Sequence, residues 1–425
     1  MTTRRLLWVL AALAALTLAL AGCGGGEDEE GGGESGEVAE VPGFDGQTIR
    51  LGVLTPLTGP VAVIGQPLTA GNQVYFEYVN KELGGIAGQY RVELVQEDTQ
   101  YSPPRTVQQY NNVKADVVAF TQILGTPPTL AVLPQLERDG GLAAPASLDA
   151  FWVREENLLP VGGPYQIQAI NALDYYVNEA GGEGDRICSM IQDDVYGEAG
   201  QGGLEFAAEE LGVEIAETQR FRTGDTDVTG QVQQLQQARC DMVFLISVPS
   251  DSGTIWGTAA QLEFAPRWIA QSPAWIDELG ASELAPYLEQ NVWIVGEGTE
   301  WGDESVPGMQ KMIERVEQYR PRQEPDYYFA FGYLQGVAMT AVLEKAVELG
   351  DLSKEGILQA SREVGTVSFD GLSGDYRYGP AEEREPPRVS TIFEVNPDRP
   401  FGLATLEYQY ESPMAADFEF EEADL

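Results

Sequence analysis

The segment TIRLGVLTPLTGP, residues 48–60, sets the fold class of this chain. Its mainly apolar run at 49–54 predicts a buried strand, which ends at the proline and glycine residues that follow. An amphipathic segment over 74–83 then predicts a helix. Further strands are predicted at 92–97, 117–121 and 142–145, with helices opening near 103–104 and spanning 129–138. Strands that alternate with helices in this way indicate parallel βαβ units.

The same alternation repeats in the second half of the chain. Strands are predicted at 186–191, 214–220, 242–247, 267–270 and 292–295, separated by helices such as 199–211. The sequence therefore predicts two α/β modules of similar size. Three helices then follow without strands, at 306–319, 327–349 and 353–364, before a strand at 390–395. We expect these helices to return and cover one of the two modules, whereas the acidic segment 411–425 has no predicted structure.

The N-terminus has the features of an export signal. Arg4 and Arg5 precede an apolar run over 6–19, which is shorter than the roughly 20 residues that span a bilayer. The run ends in Leu20-Ala21-Gly22-Cys23, and small residues before a cleavage point are typical of a signal peptide. Because this string resembles a bacterial lipobox, we predict a signal peptide over 1–22 and a lipid-anchored, extracytoplasmic protein that begins at Cys23. An ordinary secretory signal with an incidental cysteine is the alternative.

Composition limits the possible functions. Residues 23–47 are rich in Gly and Glu, which predicts a flexible linker after the lipidated cysteine. The net charge of −42 opposes binding to nucleic acid. The chain has no His, which excludes Ser-His-Asp and Cys-His catalysis and His-ligated metal sites, and we expect no metal and no cofactor. Cys188 and Cys240 are either a disulfide or two buried thiols.

Several strings, in order, resemble the leucine/isoleucine/valine-binding family of ABC-transporter substrate-binding lipoproteins. They are Pro56-Leu57-Thr58-Gly59-Pro60 with Gly65, Asn80, Gly84-Gly85-Ile86 with Gly88, Glu97-Asp98, Asp193-Asp194-Val195-Tyr196-Gly197 and Phe329-Ala330-Phe331-Gly332-Tyr333 before Lys345-Ala346. Each string alone is weak, but their order and spacing across 48–400 make the set specific.

The resemblance implies a two-lobed type I periplasmic-binding-protein fold. Each lobe is expected to be a parallel-sheet α/β sandwich, and three crossovers join the lobes. Lobe 1 would comprise 48–165 plus 299–372, and lobe 2 would comprise 166–298 plus 373–425. The family function is capture of a small molecule by cleft closure and delivery to an ABC permease, by a monomer without enzymatic activity. The family topology also places the strands of Cys188 and Cys240 side by side, which favours the disulfide.

Ligands of such sheets bind beyond the carboxyl ends of the strands, near helix N-termini. In lobe 1 this places Leu124, Gly125 and Thr126 at the ligand, with Gly125 allowing close approach and Thr126 offering hydroxyl and N–H to a carboxylate. A simple helix cap is the alternative for Thr126. Ala146 and Ser147 match positions that line the family cleft, although a plain loop would look the same.

In lobe 2 the resemblance points to three residues at the ligand, and a fourth lies just beyond them. Tyr196 would place its ring over the ligand or serve only as an interface residue, and Val248 follows the next strand of the site. Ser272 occupies a position where amino-acid binders tend to carry a carboxylate for the ligand ammonium. Trp275 would form an apolar wall or pack in the core.

These departures shape the ligand prediction. Ile64 also stands where amino-acid binders often carry Tyr. Because Ser272 is not a carboxylate, a ligand ammonium would need Asp194, Asp251 or Asp277 as its partner. We predict apolar walls plus one anion cradle, suited to a branched-chain amino acid or to a related apolar or aromatic acid or amide. Two other functions are the alternatives. A ligand sensor for a membrane receptor would use the same ligand-dependent closure. A hydrolase would use a carboxylate pair such as Asp193-Asp194.

Overall fold

The structure, a computed structural model, describes residues 38–421. The predicted signal peptide, Cys23 and most of the predicted linker lie outside the described residues. The strands are β1 Thr48–Thr55, β2 Arg91–Asp98, β3 Ala119–Leu124, β4 Ala143–Ala146, β5 Ile187–Gln192, β6 Ile215–Phe221, β7 Met242–Ile246, β8 Arg267–Gln271, β9 Val292–Gly296, β10 Thr366–Val367, β11 Tyr376–Arg377, β12 Ser390–Val395 and β13 Leu403–Tyr410.

Helices connect most of these strands. They are α1 Ala62–Glu82, α2 Pro103–Val113, α3 Thr126–Arg138, α4 Tyr165–Asp174, α5 Val195–Leu211, α6 Thr229–Ala238, α7 Pro249–Gln261, α8 Asp277–Gly280, α9 Ala285–Asn291, α10 Pro307–Tyr319, α11 Tyr327–Leu349, α12 Lys354–Glu363 and α13 Pro413–Asp417. Short 3-10 turns lie at Ala150–Arg154, Ser272–Ala274 and Ala381–Glu383, and a π-helical turn lies at Tyr175–Glu179.

Two sheets organise the chain into two lobes. The first sheet is wholly parallel in the order β2-β1-β3-β4. The second has the order β13-β12-β9-β8-β7-β5-β6, with β12 antiparallel to β9 and β13 antiparallel to β12. The apolar runs seen in the sequence are the buried strands: every residue of β3, β5 and β7 is buried. The predicted two-lobed α/β fold is confirmed, whereas the exact residue limits of the lobes stay a prediction.

The three late helices return to the first lobe. α10 and α11 pack on α1, and α12 packs on α11. The contact between α1 and α11 depends on two glycines, because a Cβ on Gly71 would lie 2.0 Å from the Phe329 carbonyl oxygen and a Cβ on Gly332 would lie 1.8 Å from that of Leu68. This close approach explains the glycine of the Phe329–Tyr333 string and brings the start of α11 to the cleft.

The sequence missed parts of this fold. α1 begins at Ala62, whereas the predicted helical segment covers only 74–83. The prediction did not include the first turns because their Gly and Pro residues lower the local helix propensity. Packing against α11 stabilises that half of the helix. β13 and α13 were not predicted; β13 is a partly exposed edge strand without a clear apolar face.

Cys188 and Cys240 form a disulfide with a Cα–Cα distance of 5.8 Å. Cys188 lies in β5 and Cys240 just precedes β7, and these two strands are hydrogen-bonded neighbours. Among residues 38–421, no helix has both the length and the apolar character needed to cross a bilayer.

Candidate functional site

A cavity of about 60 Å³ lies where the carboxyl ends of the two sheets face each other. All the predicted ligand-binding residues except Trp275 line it. They are Leu124, Gly125, Thr126, Ala146 and Ser147 from the first lobe, and Tyr196, Val248 and Ser272 from the second. The structure therefore brings these residues together, while their contact with a ligand stays a prediction.

The first wall is built at the start of α3. Gly125 has φ +103°, a conformation open to glycine, and a Cβ there would lie 2.4 Å from the Tyr101 ring. Gly125 is the N-cap, and no side chain caps the helix. The Thr126 hydroxyl is buried and has no hydrogen-bond partner within residues 38–421. Thr126 therefore does not act as a cap, and its hydroxyl is available at the cavity.

Tyr196 forms the facing wall at the start of α5. Its ring lies 4.9 Å from that of Tyr165, centroid to centroid, and its hydroxyl donates to the Ser247 carbonyl oxygen at 3.4 Å. Asp194 caps the helix, since its Oδ1 accepts from the backbone N–H groups of Tyr196 at 3.0 Å and Gly197 at 3.2 Å. Burial raises the pKa of the Tyr196 hydroxyl well above its ordinary value, so the ring is a neutral surface.

Trp275 does not line the cavity, and its predicted role as a ligand wall is not supported. The side chain is fully buried, its Nε1 donates to the Phe401 carbonyl oxygen at 3.0 Å, and its ring packs near that of Trp256. This is the core-packing alternative. The Trp275 carbonyl oxygen instead accepts from the Tyr328 hydroxyl at 2.6 Å, which links α11 of the first lobe to the second lobe.

Glu297 is the cavity residue of greatest consequence that the sequence did not reveal. It directly follows β9, and its carboxylate Oε2 accepts from Gln168 Nε2 at 2.9 Å and from Ser272 Oγ at 3.5 Å. Burial raises its pKa to about 7. The three acids expected to supply a carboxylate, Asp194, Asp251 and Asp277, are absent from the cavity lining. The acid comes from the strand next to that of Ser272.

Aromatic rings form most of the remaining wall. Tyr101, Tyr165, Tyr327, Tyr328 and Phe331 join Tyr196 there. The sequence did not indicate these five residues as part of one site. Tyr101 follows the end of β2, Tyr165 begins α4, and the other three lie in the first turns of α11, and only the tertiary fold brings these places together. Tyr101 adopts φ +60°, in the left-handed region, and thereby reaches the cavity from the end of β2.

The described cavity lining contains one carboxyl group and therefore no carboxylate pair. Glu297 is the single carboxylate among its described residues, so the Asp193-Asp194 pair considered for hydrolysis lies outside it. Across residues 38–421, no group of three or more acidic or cysteine side chains is arranged to hold a metal ion.

Two lobes that enclose a cavity between the carboxyl ends of their sheets define a type I periplasmic binding protein. The chain belongs to the periplasmic binding protein family, which it matches over residues 48–400.

Two solved structures share this architecture, and one sequence relative matches part of the chain. The chain is similar to the fatty acid ABC transporter substrate-binding protein from Thermomonospora curvata, with 26% identity and a TM-score of 0.84 over 91% of this chain and 98% of that one. A branched-chain amino acid ABC transporter protein from Thermus thermophilus, solved with bound valine, is 18% identical with a TM-score of 0.76 over 87% and 98%. The Leu/Ile/Val-binding protein homolog 3 of Brucella melitensis biotype 1 is 27% identical over 49% of this chain, a match that spans 56% of that relative's length.

Proposed function

We propose that this chain is the extracytoplasmic solute-binding lipoprotein of an ABC importer. It captures a small, mainly apolar ligand between its lobes and delivers it to a membrane permease. The proposed lobes are 48–165 plus 299–372 and 166–298 plus 373–425. The ligand class expected from the sequence is a branched-chain amino acid, or a related apolar or aromatic acid or amide. The names of the relatives from Thermomonospora curvata and Brucella melitensis, a fatty acid binder and a Leu/Ile/Val-binding homologue, support an apolar ligand body.

The observation that carries this proposal is the origin of the cavity walls. Thr126 and Phe331 come from elements of the first lobe, and Tyr196 and Val248 from elements of the second. A ligand in the cavity contacts both lobes at once, so its binding free energy favours the conformation in which they are close. Such ligand-dependent closure is what a permease needs to distinguish the loaded protein from the empty one.

The experiment combines a ligand screen with a measurement of shape. A thermal-shift screen of amino acids, aromatic acids, short fatty acids and amides identifies a ligand, and small-angle scattering is then recorded with and without it. We expect the radius of gyration to fall on saturation. A screened ligand that binds tightly without any compaction would contradict capture by closure.

The membrane anchor is tested separately at Cys23. The proposed lipid-modified cysteine should place the protein in the membrane fraction, and Cys23→Ser should release it into the soluble extracytoplasmic fraction with unchanged ligand affinity. A Cys188→Ser/Cys240→Ser protein is the matched control, because it removes cysteines without removing the anchor. Membrane association that persists in a Cys23→Ser protein from which the signal peptide has been removed would exclude lipidation at this residue as the anchor.

A further inference from the structure

The described cavity lining contains one carboxyl group, that of Glu297. Glu297 is 6% exposed, and no Lys or Arg is found among the described residues that line the cavity. Glu297 is also not part of any ion pair within residues 38–421. A buried carboxylate without a positive partner is costly, so a cationic group entering this cavity gains a strong interaction that the protein does not supply itself.

Uncharged hydrogen-bond donors hold Glu297 in place, and they supply no positive charge to pair with its carboxyl group. Gln168 Nε2 donates to its Oε2, and the Tyr327 hydroxyl donates to its backbone oxygen at 2.6 Å. Gln168 lies in α4 and Tyr327 in α11, so elements of different parts of the chain converge on this one residue. The carboxylate is therefore presented to the cavity in a defined position, as a binding group requires.

The opposite requirement, donors for an anion, is poorly met. Of the first residues of α3, Pro127 and Pro128 have no N–H, and the N–H of Thr129 already donates to the Gly125 carbonyl oxygen at 3.0 Å. At the start of α5, the Asp194 carboxylate already accepts the N–H groups of Tyr196 and Gly197. At α3 a ligand carboxylate could accept hydrogen bonds from the hydroxyl and N–H of Thr126. A helix N-terminus that binds an anion usually offers several free N–H groups.

The ring-lined walls also suit a cation. Six aromatic residues surround the cavity with Glu297, and the faces of Tyr and Phe rings attract positively charged groups once water is removed. Burial keeps the hydroxyls of Tyr165, Tyr196 and Tyr328 protonated by raising their pKa values, so the rings add no negative charge of their own.

We propose that Glu297 is the specificity-determining residue of the site and that the ligand carries a basic nitrogen, which Glu297 binds. The apolar body of the ligand packs on the rings, and a carboxylate, where the ligand has one, contributes less than the nitrogen. This inference rests on the proposed solute-binding function and narrows its ligand class.

The test uses matched compounds that share one apolar body. Leucine, isoamylamine and isocaproate differ only in which polar group they carry, and phenylalanine, phenethylamine and hydrocinnamate form the aromatic series. By calorimetry with the full chain, removing the amine should weaken binding on the order of 10- to 100-fold, whereas removing the carboxylate should weaken it less. Tighter binding of the carboxylic acids than of the amines in both series would overturn the assignment.

Two variants make the test independent of the shape of the natural ligand. Methylammonium chloride should raise the melting temperature of the wild-type protein above that in sodium chloride of equal ionic strength, and Glu297→Gln should abolish this difference. Asp251→Asn is the matched control, because it removes a buried carboxylate of the second lobe that does not line the cavity, and it should retain the difference. An equal response of wild type and Glu297→Gln, or no response of the wild type, would refute the role of Glu297.

The outcomes separate this inference from the importer function. Carboxylic acids that bind more tightly than the matched amines and compact the protein would refute the role of the basic nitrogen but leave solute capture intact. Amines that bind without compaction would agree with nitrogen binding by Glu297 but contradict capture by closure.

Discussion

Replacing Glu297 by Gln should change the pH dependence of stability in a defined direction. Burial raises the pKa of this carboxyl from 4.5 to about 7 in the folded protein. The folded state therefore holds the proton more tightly than the unfolded state does. The resulting stabilisation is complete below pH 4.5 and is lost as the pH rises through about 7.

The size of the effect follows from that shift. Each pKa unit corresponds to about 1.4 kcal/mol, so the wild type should lose about 3 kcal/mol of unfolding free energy from this group between pH 4.5 and 8. Gln has nearly the same shape, keeps an acceptor for Gln168 Nε2, and stays uncharged throughout. Glu297→Gln should therefore gain about 3 kcal/mol relative to wild type across this range.

Denaturant unfolding of the ligand-free protein at a series of pH values measures this difference. Other acids with raised pKa values, such as Asp326 at about 7, titrate in both proteins and cancel in the comparison. Asp149→Asn is an informative control, since burial raises the pKa of Asp149 from 3.8 to about 6 and its own gain should occur at lower pH. A stability difference between Glu297→Gln and wild type that stays constant from pH 4.5 to 8 would refute the reasoning.

Three further predictions test the fold and the site. Gly332→Ala should destabilise the protein by about 1–3 kcal/mol in thermal or denaturant unfolding, because the new Cβ would lie 1.8 Å from a backbone oxygen of α1; Gly202→Ala, where a Cβ meets open space, should be neutral or stabilising. Loss of the Cys188–Cys240 disulfide, which links residues 52 positions apart, should cost about 4 kcal/mol in the same assay, and an unchanged midpoint would contradict this. Tyr196→Ala should weaken ligand binding measured by calorimetry without unfolding the protein, whereas Tyr196→Phe, which keeps the ring, should bind nearly as wild type; equal affinities of the two variants would remove the ring from the site.

The sequence predicted the parts of this molecule that have local signals. The apolar runs correctly located the central strands, and the end of one run pointed to Gly125 and Thr126. The family resemblance pointed to Ala146, Ser147 and Tyr196, and all five residues line one cavity. A parallel sheet aligns its strand ends, so an accurate list of strands already places the following residues side by side.

Other parts depend on tertiary packing that no local pattern reveals. Tyr328 lies far along the chain from Trp275, and only the return of α11 to the first lobe brings its hydroxyl to the Trp275 carbonyl oxygen. Trp275 itself follows a strand as the cavity residues do. Such a side chain can turn to the cleft or to the core, and here its Nε1 donates to Phe401 of a distant segment and its ring packs near Trp256 in the core.

The polarity of the site shows why position and chemistry have to be considered separately. Thr126 is at the predicted place, but a helix start binds an anion through several free N–H groups, and the Pro127-Pro128 pair after it removes two of them. The sequence alone therefore already indicates that the start of α3 offers few N–H donors to an anion. The carboxylate of Glu297 follows a different strand from Ser272, yet its Oε2 lies 3.5 Å from the Ser272 hydroxyl. Neighbouring strands of one sheet can thus supply the same chemistry to one point in space, so the absence of an acid at one strand end does not exclude a nitrogen-binding carboxylate in the cavity.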